Sequence, residues 1–408
     1  MSVPTLTKPI ETAEEYVQSL RDMKTEIWAM GEKITNVPDH PLFVPHVNAV
    51  AKTYEMPFPV TSHLTGHTIN RFNHIHQGTG DLVAKVKMLR TLNQQTACCI
   101  QRCAGMDAMN ATYIVTYEID QKYGTSYHER FKKFLTYVQD YNLVVLGAMT
   151  DPKGDRSKGP TQQRDPDIFL HVVEERTDGI VVRGAKAHIT GVSGGHEMMV
   201  FPTQNMKDDA KDYAVVFSVP INAPGITYIF GRQTNDDRKL DTEHPIDQGN
   251  FKYACVGGEC VVVFDDVFIP WENVYMYKEN EFAGMFVEAF ATAHRSNYGA
   301  CKGGIMDVLL GATYGITKIN GVERVGHIRD KFADMINLIE TLYAGSIACS
   351  YEGRPTPSGA WRADTMLGNI TKHNTTKFIY EIGRLSHDIV GGLLATLPSE
   401  ADLRNPEI

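Results

Sequence analysis

Cys99 and Cys103 stand four residues apart in a stretch of helical periodicity, a spacing that sets both sulfurs on one helix face, one turn apart. Two thiolates so placed can share one metal or cluster. Far down the chain, His294 and Cys301 are seven residues apart in a second helical stretch, nearly in phase after two turns. An imidazole and a thiolate would then meet the first pair across a helix–helix interface as a Cys3His set. Spacing alone leaves three outcomes open. Cysteines at helical spacing are often core fillers. A Cys3His set also suits structural zinc, although such sites usually draw a ligand pair from a tight knuckle, and an iron–sulfur cluster uses the same donors. Cys98 is expected to point about 100° from Cys99 on the helix and to pack. Cys255, Cys260 and Cys349 have no partner at ligand spacing, so these four read as structural.

Two further segments offer polar groups. In Met149-Thr150-Asp151-Pro152-Lys153-Gly154-Asp155-Arg156-Ser157 a strand end runs into hydroxyls, backbone amides and two cations suited to an anionic or polar ligand. Gly184-Ala185-Lys186-Ala187-His188-Ile189-Thr190-Gly191 brings polar side chains and bare backbone to a sheet edge. Taken singly, each is equally a solvated loop. There is no Gly-x-Gly-x-x-Gly, no P-loop and no His-Glu-x-x-His, so a Rossmann, P-loop or zincin site lacks its usual signature.

The elements that must hold these groups fall in three blocks. Residues 13–34 and 81–123 repeat apolar side chains every three or four positions, which predicts helix. Turn formers and charges after Leu143-Val144-Val145-Leu146 mark a boundary. Short β-branched runs follow at 169–173, 180–183, 213–219 and 261–264, with Asp178-Gly179 as a hairpin signal because glycine accepts the positive φ of a tight turn. Helical periodicity returns over 281–298, 303–319, 325–351 and 361–394, and long helices of this kind pair as a bundle.

At 408 residues and 42% hydrophobic, the chain needs no disulfide staple for a core. Its net charge of −9 and the lack of a lysine/arginine cluster exclude nucleic acid as an expected partner. The N-terminus has neither the basic flank nor the apolar core of a secretory signal. The longest apolar runs, such as Ile389 to Leu397, fall short of the roughly 20 residues that span a bilayer. A soluble, cytoplasmic protein is expected, with seven cysteines as free thiols or ligands.

The block order, together with Asp151 to Ser157, Gly184 to Thr190 and Phe264-Asp265-Asp266-Val267-Phe268-Ile269-Pro270, resembles the flavoproteins of the acyl-CoA dehydrogenase fold. More narrowly, it resembles the branch shared by 4-hydroxyphenylacetate 3-monooxygenase and 4-hydroxybutyryl-CoA dehydratase. The hydroxylases of that branch lack the Cys-x3-Cys and His-x6-Cys pairs, whereas the dehydratases are defined by them as ligands of a 4Fe-4S cluster beside FAD. The resemblance therefore implies the dehydratase family, with Cys99, Cys103, His294 and Cys301 as cluster ligands. It also implies an α+β fold with an N-terminal helical domain (residues 1–145), a middle β-barrel domain (146–276) and a C-terminal helical bundle (277–408). Family members run several tens of residues past the position of Ile408 and place a further glutamate there, so the bundle is expected to be incomplete.

The same resemblance assigns flavin contacts to Met149, Thr150, Asp151, Pro152, Lys153, Gly154, Asp155, Arg156, His188, Ile189 and Thr190. Gly391 and Gly392 would reach a neighbouring subunit's FAD in a homotetramer. The implied reaction is dehydration of 4-hydroxybutyryl-CoA to crotonyl-CoA, with isomerisation of vinylacetyl-CoA, in aminobutyrate metabolism. Its difficulty is a C–H bond at the β carbon that the thioester does not acidify, beyond an ordinary base of near-neutral pKa. One-electron flavin chemistry offers a way round, and the histidine-bound iron is suited to act as a Lewis acid on the 4-hydroxyl. The implied roles are His294 as ligand and base, Tyr298 on its helix face, Glu259 as acid/base, and Lys302 and Gln101 as orienting groups. Unaided, a tyrosine on a bundle helix reads as core and a glutamate after Gly257-Gly258 as surface. Two rivals stay open: a flavin-dependent aromatic hydroxylase, which has no use for four soft ligands, and a non-catalytic scaffold around zinc.

Overall fold

Thr12 starts the first helix by accepting from the Glu15 N–H at 3.1 Å while Glu15 reaches back to the Thr12 N–H at 3.3 Å, a capping box that satisfies two orphan donors. The computed structural model describes residues 7–233, 236–241, 243–249, 252–253 and 257–408. Helix α1 (Ala13–Met23) ends on Lys24 in the left-handed region, and the expected helix to Ile34 gives way to β1 (Ile27–Ala29) and β2 (Glu32–Ile34). Tertiary pairing decides this: β1 has buried Ile27 and Ala29 on one face and lies parallel to a strand two hundred residues away. Next come α2 (Val44–Glu55), the ribbon β3 (Val60–Thr61) and β4 (Thr68–Ile69), α3 (Thr79–Thr96), α4 (Arg102–Tyr123) and α5 (Tyr127–Tyr141).

The strands β5 (Val145–Ala148), β6 (His171–Glu175), β7 (Gly179–Ile189), β8 (Glu197–Val200), β9 (Val215–Pro220) and β10 (Ile226–Phe230) lead into two short helices, α6 (Asp236–Leu240) and α7 (Pro245–Gln248). Then β11 (Cys260–Pro270) and β12 (Val274–Tyr277) complete two sheets, ordered β2-β1-β10-β11-β7-β6 and β12-β9-β8-β5. The Asp178-Gly179 hairpin forms as expected between β6 and β7. The expected barrel does not: among the described residues both sheets are open. They stack instead, with Phe217 of one edge-on to Phe264 of the other at 6.2 Å, and side chains of both fill one core. Helix α4 presses on this core so closely that a Cβ on Gly105 would lie 1.8 Å from the Val145 carbonyl oxygen, an approach only glycine permits.

The chain finishes with α8 (Ala283–Arg295), α9 (Tyr298–Ile319), α10 (Gly326–Tyr351) and α11 (Thr365–Val390). The last starts after Trp361, which pairs in a two-residue ribbon, because the Asp364 side chain accepts from the Leu367 N–H at 2.8 Å and caps it there. No helix among the described residues is long and apolar enough to cross a membrane.

Glu197 opens β8 almost wholly buried, with Oε2 unpartnered among the described residues. Burial pushes its carboxyl from 4.5 up to about 8. Below pH 4.5 the folded and unfolded chains both hold this proton, and between 4.5 and 8 only the folded chain does. Stability should therefore fall as pH rises, by up to about 1.4 kcal/mol per unit. Glu197→Gln is expected to flatten that decline between pH 5 and 8 in urea unfolding; an unchanged slope would refute it.

Candidate active site

Both helical stretches that carry the sulfur and imidazole donors are broken at those donors. Helix α3 ends at Thr96 with Ala97 left-handed, and α4 begins at Arg102, so Cys99 lies in the break and Cys103 in the first turn of α4. The expectation of one helix face for both cysteines is thus corrected. The cause is Arg102: its buried guanidinium donates to Thr53 Oγ1 at 3.0 Å, Asn142 Oδ1 at 2.9 Å and the Leu143 carbonyl at 3.0 Å. It also lies over the Tyr54 ring. These bonds tie the start of α4 to α2 and to the turn before β5. Gln101, at the junction, holds φ of 68°, a strained value for a side-chain-bearing residue of the kind that clusters at functional sites.

His294 and Cys301 likewise do not share one helix. His294 is the last residue but one of α8, Ser296 and Asn297 separate that helix from α9, and Cys301 lies in the first turn of α9. Each break starts a new helix beneath a cysteine, so two helix N-termini, which favour negative charge, face the thiol pocket. A Cβ on Gly299 would lie 1.9 Å from the Leu342 carbonyl oxygen, so this glycine lets the first turn of α9 seat against α10.

The three cysteines are within electrostatic reach of one another. Burial raises the Cys103 thiol most, and Cys99, Asp107 and Cys301 raise it further while Lys302 opposes them. Burial also pushes Cys301 up to about 11, again against Lys302. The Lys302 ammonium is raised in turn, chiefly by Cys301. Among the described residues no three His, Cys, Asp or Glu side chains converge tightly enough for a single metal ion.

His294 is presented by its neighbours. Its Nδ1 lies 2.9 Å from Asp107 Oδ2, its ring stacks on Phe290 at 5.4 Å, and Tyr298 meets it edge-on at 5.4 Å. An ionised carboxylate only accepts, so Nδ1 carries the proton. Nε2, which takes no hydrogen bond among the described residues, keeps its lone pair. Three soft sulfurs, of Cys103 buried and of Cys99 and Cys301 half-buried, with one imidazole lone pair and the Lys302 cation nearby, are a donor set that fits an iron–sulfur cluster.

On another wall, Gln101, Thr190 and Glu259 converge around Gly257, where an added Cβ would lie 3.1 Å from Gln101 Cγ, 2.3 Å from Thr190 Cγ2 and 3.4 Å from Glu259 Oε1. Thr190 Oγ1 donates to Glu259 Oε1 at 3.4 Å, and the Glu259 charge also acts on Cys99. Glu259 is therefore half-buried beside the thiols rather than a surface loop residue. The Gln101 amide donates to the His46 carbonyl at 3.0 Å, leaving its buried Oε1 unpartnered among the described residues.

The two flavin-like segments are locked together. Lys186, 2% exposed, gives its three donors to Asp151 Oδ1 (2.5 Å), the Met149 carbonyl (3.1 Å) and the Phe201 carbonyl (2.9 Å). The Ala187 N–H bonds the Thr150 carbonyl at 2.8 Å. Pro152 is half-buried, whereas Lys153, Gly154, Asp155 and Arg156 are exposed, their loop folded around the Gln163 amide, which accepts from the Asp155 N–H at 2.9 Å. His188 is exposed with φ of 58°, and Ile189 is buried. Phe201 packs on Phe290 at 5.0 Å, so an aromatic column joins this segment to His294 and Tyr298. Gly391 and Gly392 are exposed at the end of α11 and hydrogen-bond only their own helix turns among the described residues. Cys98, Cys260 and Cys349 are buried, as their structural reading expects, though Cys98 sits in the break and not on a helix. Cys255 lies outside the described residues. A cavity of about 540 Å³ beside Glu197 and Tyr275 is lined by none of these site residues.

Asp107, Lys85, Asn297, Lys186 and Gln163 were not among the sequence candidates. Two of them carried a signal: Asp107, four residues after Cys103 in the same helical stretch, and Lys186, within the polar Gly184 to Gly191 segment.

Residues 12–276 match the family described as 4-hydroxyphenylacetate 3-hydroxylase N terminal, and 283–408 its C-terminal counterpart. The chain is 50% identical, over 97% of its length and 82% of the relative's, to the 4-hydroxybutyryl-CoA dehydratase/vinylacetyl-CoA-Δ-isomerase of Clostridium aminobutyricum. It belongs to the 4-hydroxybutyryl-CoA dehydratase branch of this family. The branch also includes a solved structure, an oxygen-tolerant archaeal 4-hydroxybutyryl-CoA dehydratase from N. maritimus. That protein is 47% identical with a TM-score of 0.95, over 98% of this chain and 80% of that one. The family's hydroxylases are more distant. The 4-hydroxyphenylacetate 3-monooxygenase oxygenase component of Geobacillus sp. (strain PA-9) is 24% identical over 98% of this chain and 82% of its own. A solved oxygenase component complexed with FAD, at 23% identity and a TM-score of 0.81 over 97% of this chain and 83% of that one, shares the fold.

Proposed function

We propose that the protein dehydrates 4-hydroxybutyryl-CoA to crotonyl-CoA and isomerises vinylacetyl-CoA to crotonyl-CoA, with FAD and a 4Fe-4S cluster. The observation that carries this reading is that Cys99, Cys103 and Cys301 lie within electrostatic reach of one another and are linked through Asp107 and Tyr298 to a His294 whose Nε2 lone pair is left available, in a chain 50% identical to a dehydratase/isomerase of that name. When bound, the flavin supplies one-electron chemistry and the cluster a Lewis-acidic iron.

The chain's own groups have separable tasks. Cys99, Cys103, Cys301 and His294 Nε2 would hold the cluster. The positive ends of α4 and α9, with Lys302, favour the thiolate form. With Nδ1 bonded to Asp107, an Nε2 that held iron would leave His294 no lone pair for a proton, so Glu259, its carboxylate oriented by Thr190, is the group in this reading that receives the α proton. Tyr298 closes the pocket over His294 with its hydroxyl as a proton donor, and the unpartnered Gln101 oxygen is a polar contact for substrate. Met149 to Arg156 and His188 to Thr190 frame the flavin, fixed by Lys186. The protein is a homotetramer in this reading: Tyr351, Met366 and Tyr380 on the C-terminal helices are 71%, 68% and 75% exposed and need cover, and Gly391 and Gly392 face a neighbouring subunit's flavin.

The test is an anaerobic assay of crotonyl-CoA formation from 4-hydroxybutyryl-CoA, with iron, sulfide and flavin counted on the same sample. Expected are four irons and one flavin per subunit with turnover. Flavin without iron, and hydroxylation of a phenol with a reductase, would move the protein to the hydroxylases.

A further inference from the structure

Asp107 is wholly buried, an expensive place for a carboxylate unless it is paired. Its Oδ2 accepts from His294 Nδ1 at 2.9 Å and from Asn297 Nδ2 at 2.8 Å. Its Oδ1 has no hydrogen bond among the described residues, and the nearest cation is Lys85 Nζ at 3.7 Å. Lys85 is buried too, and spends its other donors on the Ala293 carbonyl at 3.3 Å and Ser296 Oγ at 3.2 Å. A hydrophobic residue of similar volume would pack this junction at lower desolvation cost.

The network has a definite place. Lys85 is on α3, which leads to Cys99. Asp107 is on α4, one turn after Cys103. Ser296 and Asn297 fill the break between His294 and Cys301. Each proposed cluster ligand therefore lies on, or directly next to, an element that carries a member of the network, and the hydrogen bond from the network to a proposed ligand goes to His294 Nδ1.

We propose that Asp107 is a positioning residue for the cluster: held by Asn297 and neutralised by Lys85, it fixes the His294 ring and tautomer so that Nε2 is aimed at the thiol pocket. A carboxylate behind a metal-bound histidine orients the ring and raises its basicity, and losing such a partner typically costs 10–100-fold in metal affinity or activity. The inference rests on the cluster reading above.

The experiment compares wild type, Asp107→Asn and Asn297→Ala, all purified under argon, by iron release to a ferrous chelator and by Mössbauer spectroscopy. Thermal unfolding and flavin content serve as controls. Asp107→Asn is expected to release iron about 10–100-fold faster and to show an altered signal for one iron of the four. Its flavin content should match wild type, and kcat should fall with KM within about twofold. Unchanged iron release and spectra overturn the proposal. So does parallel loss of iron and flavin with a lowered Tm, which marks a merely structural role. If Asp107→Asn does not fold, Asn297→Ala decides: a severalfold faster release supports the assignment and a wild-type rate refutes it. Absence of iron and sulfide from the wild type itself overturns the cluster reading, and this inference with it.

Discussion

Cys103→Ala, purified without oxygen, is expected to lose the broad iron–sulfur absorbance beneath the flavin bands and to fall at least about 10³-fold in crotonyl-CoA formation, a transition-state loss of about 4 kcal/mol. Its fold and flavin should survive, because Cys103 sits in a small apolar cluster with Ile100, Met106 and Ala300, where losing one sulfur leaves a modest void. Cys98→Ala is the matched control. Cys98 is one residue from Cys99 and fully buried, but it packs against Ala49, so iron and turnover should be retained. If Cys103→Ala keeps its iron, the thiol pocket is not the cluster site. If Cys98→Ala loses iron too, the loss reports packing rather than ligation.

Lys186→Met is expected to destabilise the protein by about 3–5 kcal/mol and to yield protein without flavin. The substitution leaves the Asp151 carboxylate, 7% exposed, without its cation, removes the Lys186 donor from the Phe201 carbonyl, and leaves the Met149 carbonyl to Thr203 Oγ1 alone. A double substitution, Lys186→Met with Asp151→Leu, should recover much of the stability, because a buried pair replaced by apolar groups is often neutral. It should not recover flavin, since the Met149 to Arg156 loop then keeps only the Ala187 N–H bond to the Thr150 carbonyl and has lost its side-chain anchor to β7. Chemical denaturation and flavin absorbance read the two effects separately; a flavin-replete single variant would show that the lock is dispensable.

The helices and strands were legible wherever local pattern decides. The 3.6-residue period over the C-terminal helices and the Asp178-Gly179 turn are such cases. They failed where distant partners overrule that pattern. Residues 27–34 form strands because β10 offers an edge, and the run over 81–123 breaks at residues 97–101 because the buried Arg102 guanidinium must reach Thr53, Asn142 and Leu143. The closed barrel failed for a similar reason, since two stacked faces bury the same side chains without closing an edge.

Donor identity was present in the sequence alone: three thiols and an imidazole in two spaced pairs, amid loops that resemble a flavoprotein's. Residue type and short-range spacing are written along the chain, so the donor set on which the cluster proposal rests was readable there. Convergence was not. The approach of Asp107 to His294 spans 187 residues and that of Lys186 to Asp151 spans 35, and both depend on which helix and strand faces pack together. Only packing set the breaks that put Cys103 and Cys301 in the first turns of new helices, and only packing buried the carboxylate that holds one nitrogen of the His294 imidazole and leaves the other without a hydrogen bond among the described residues.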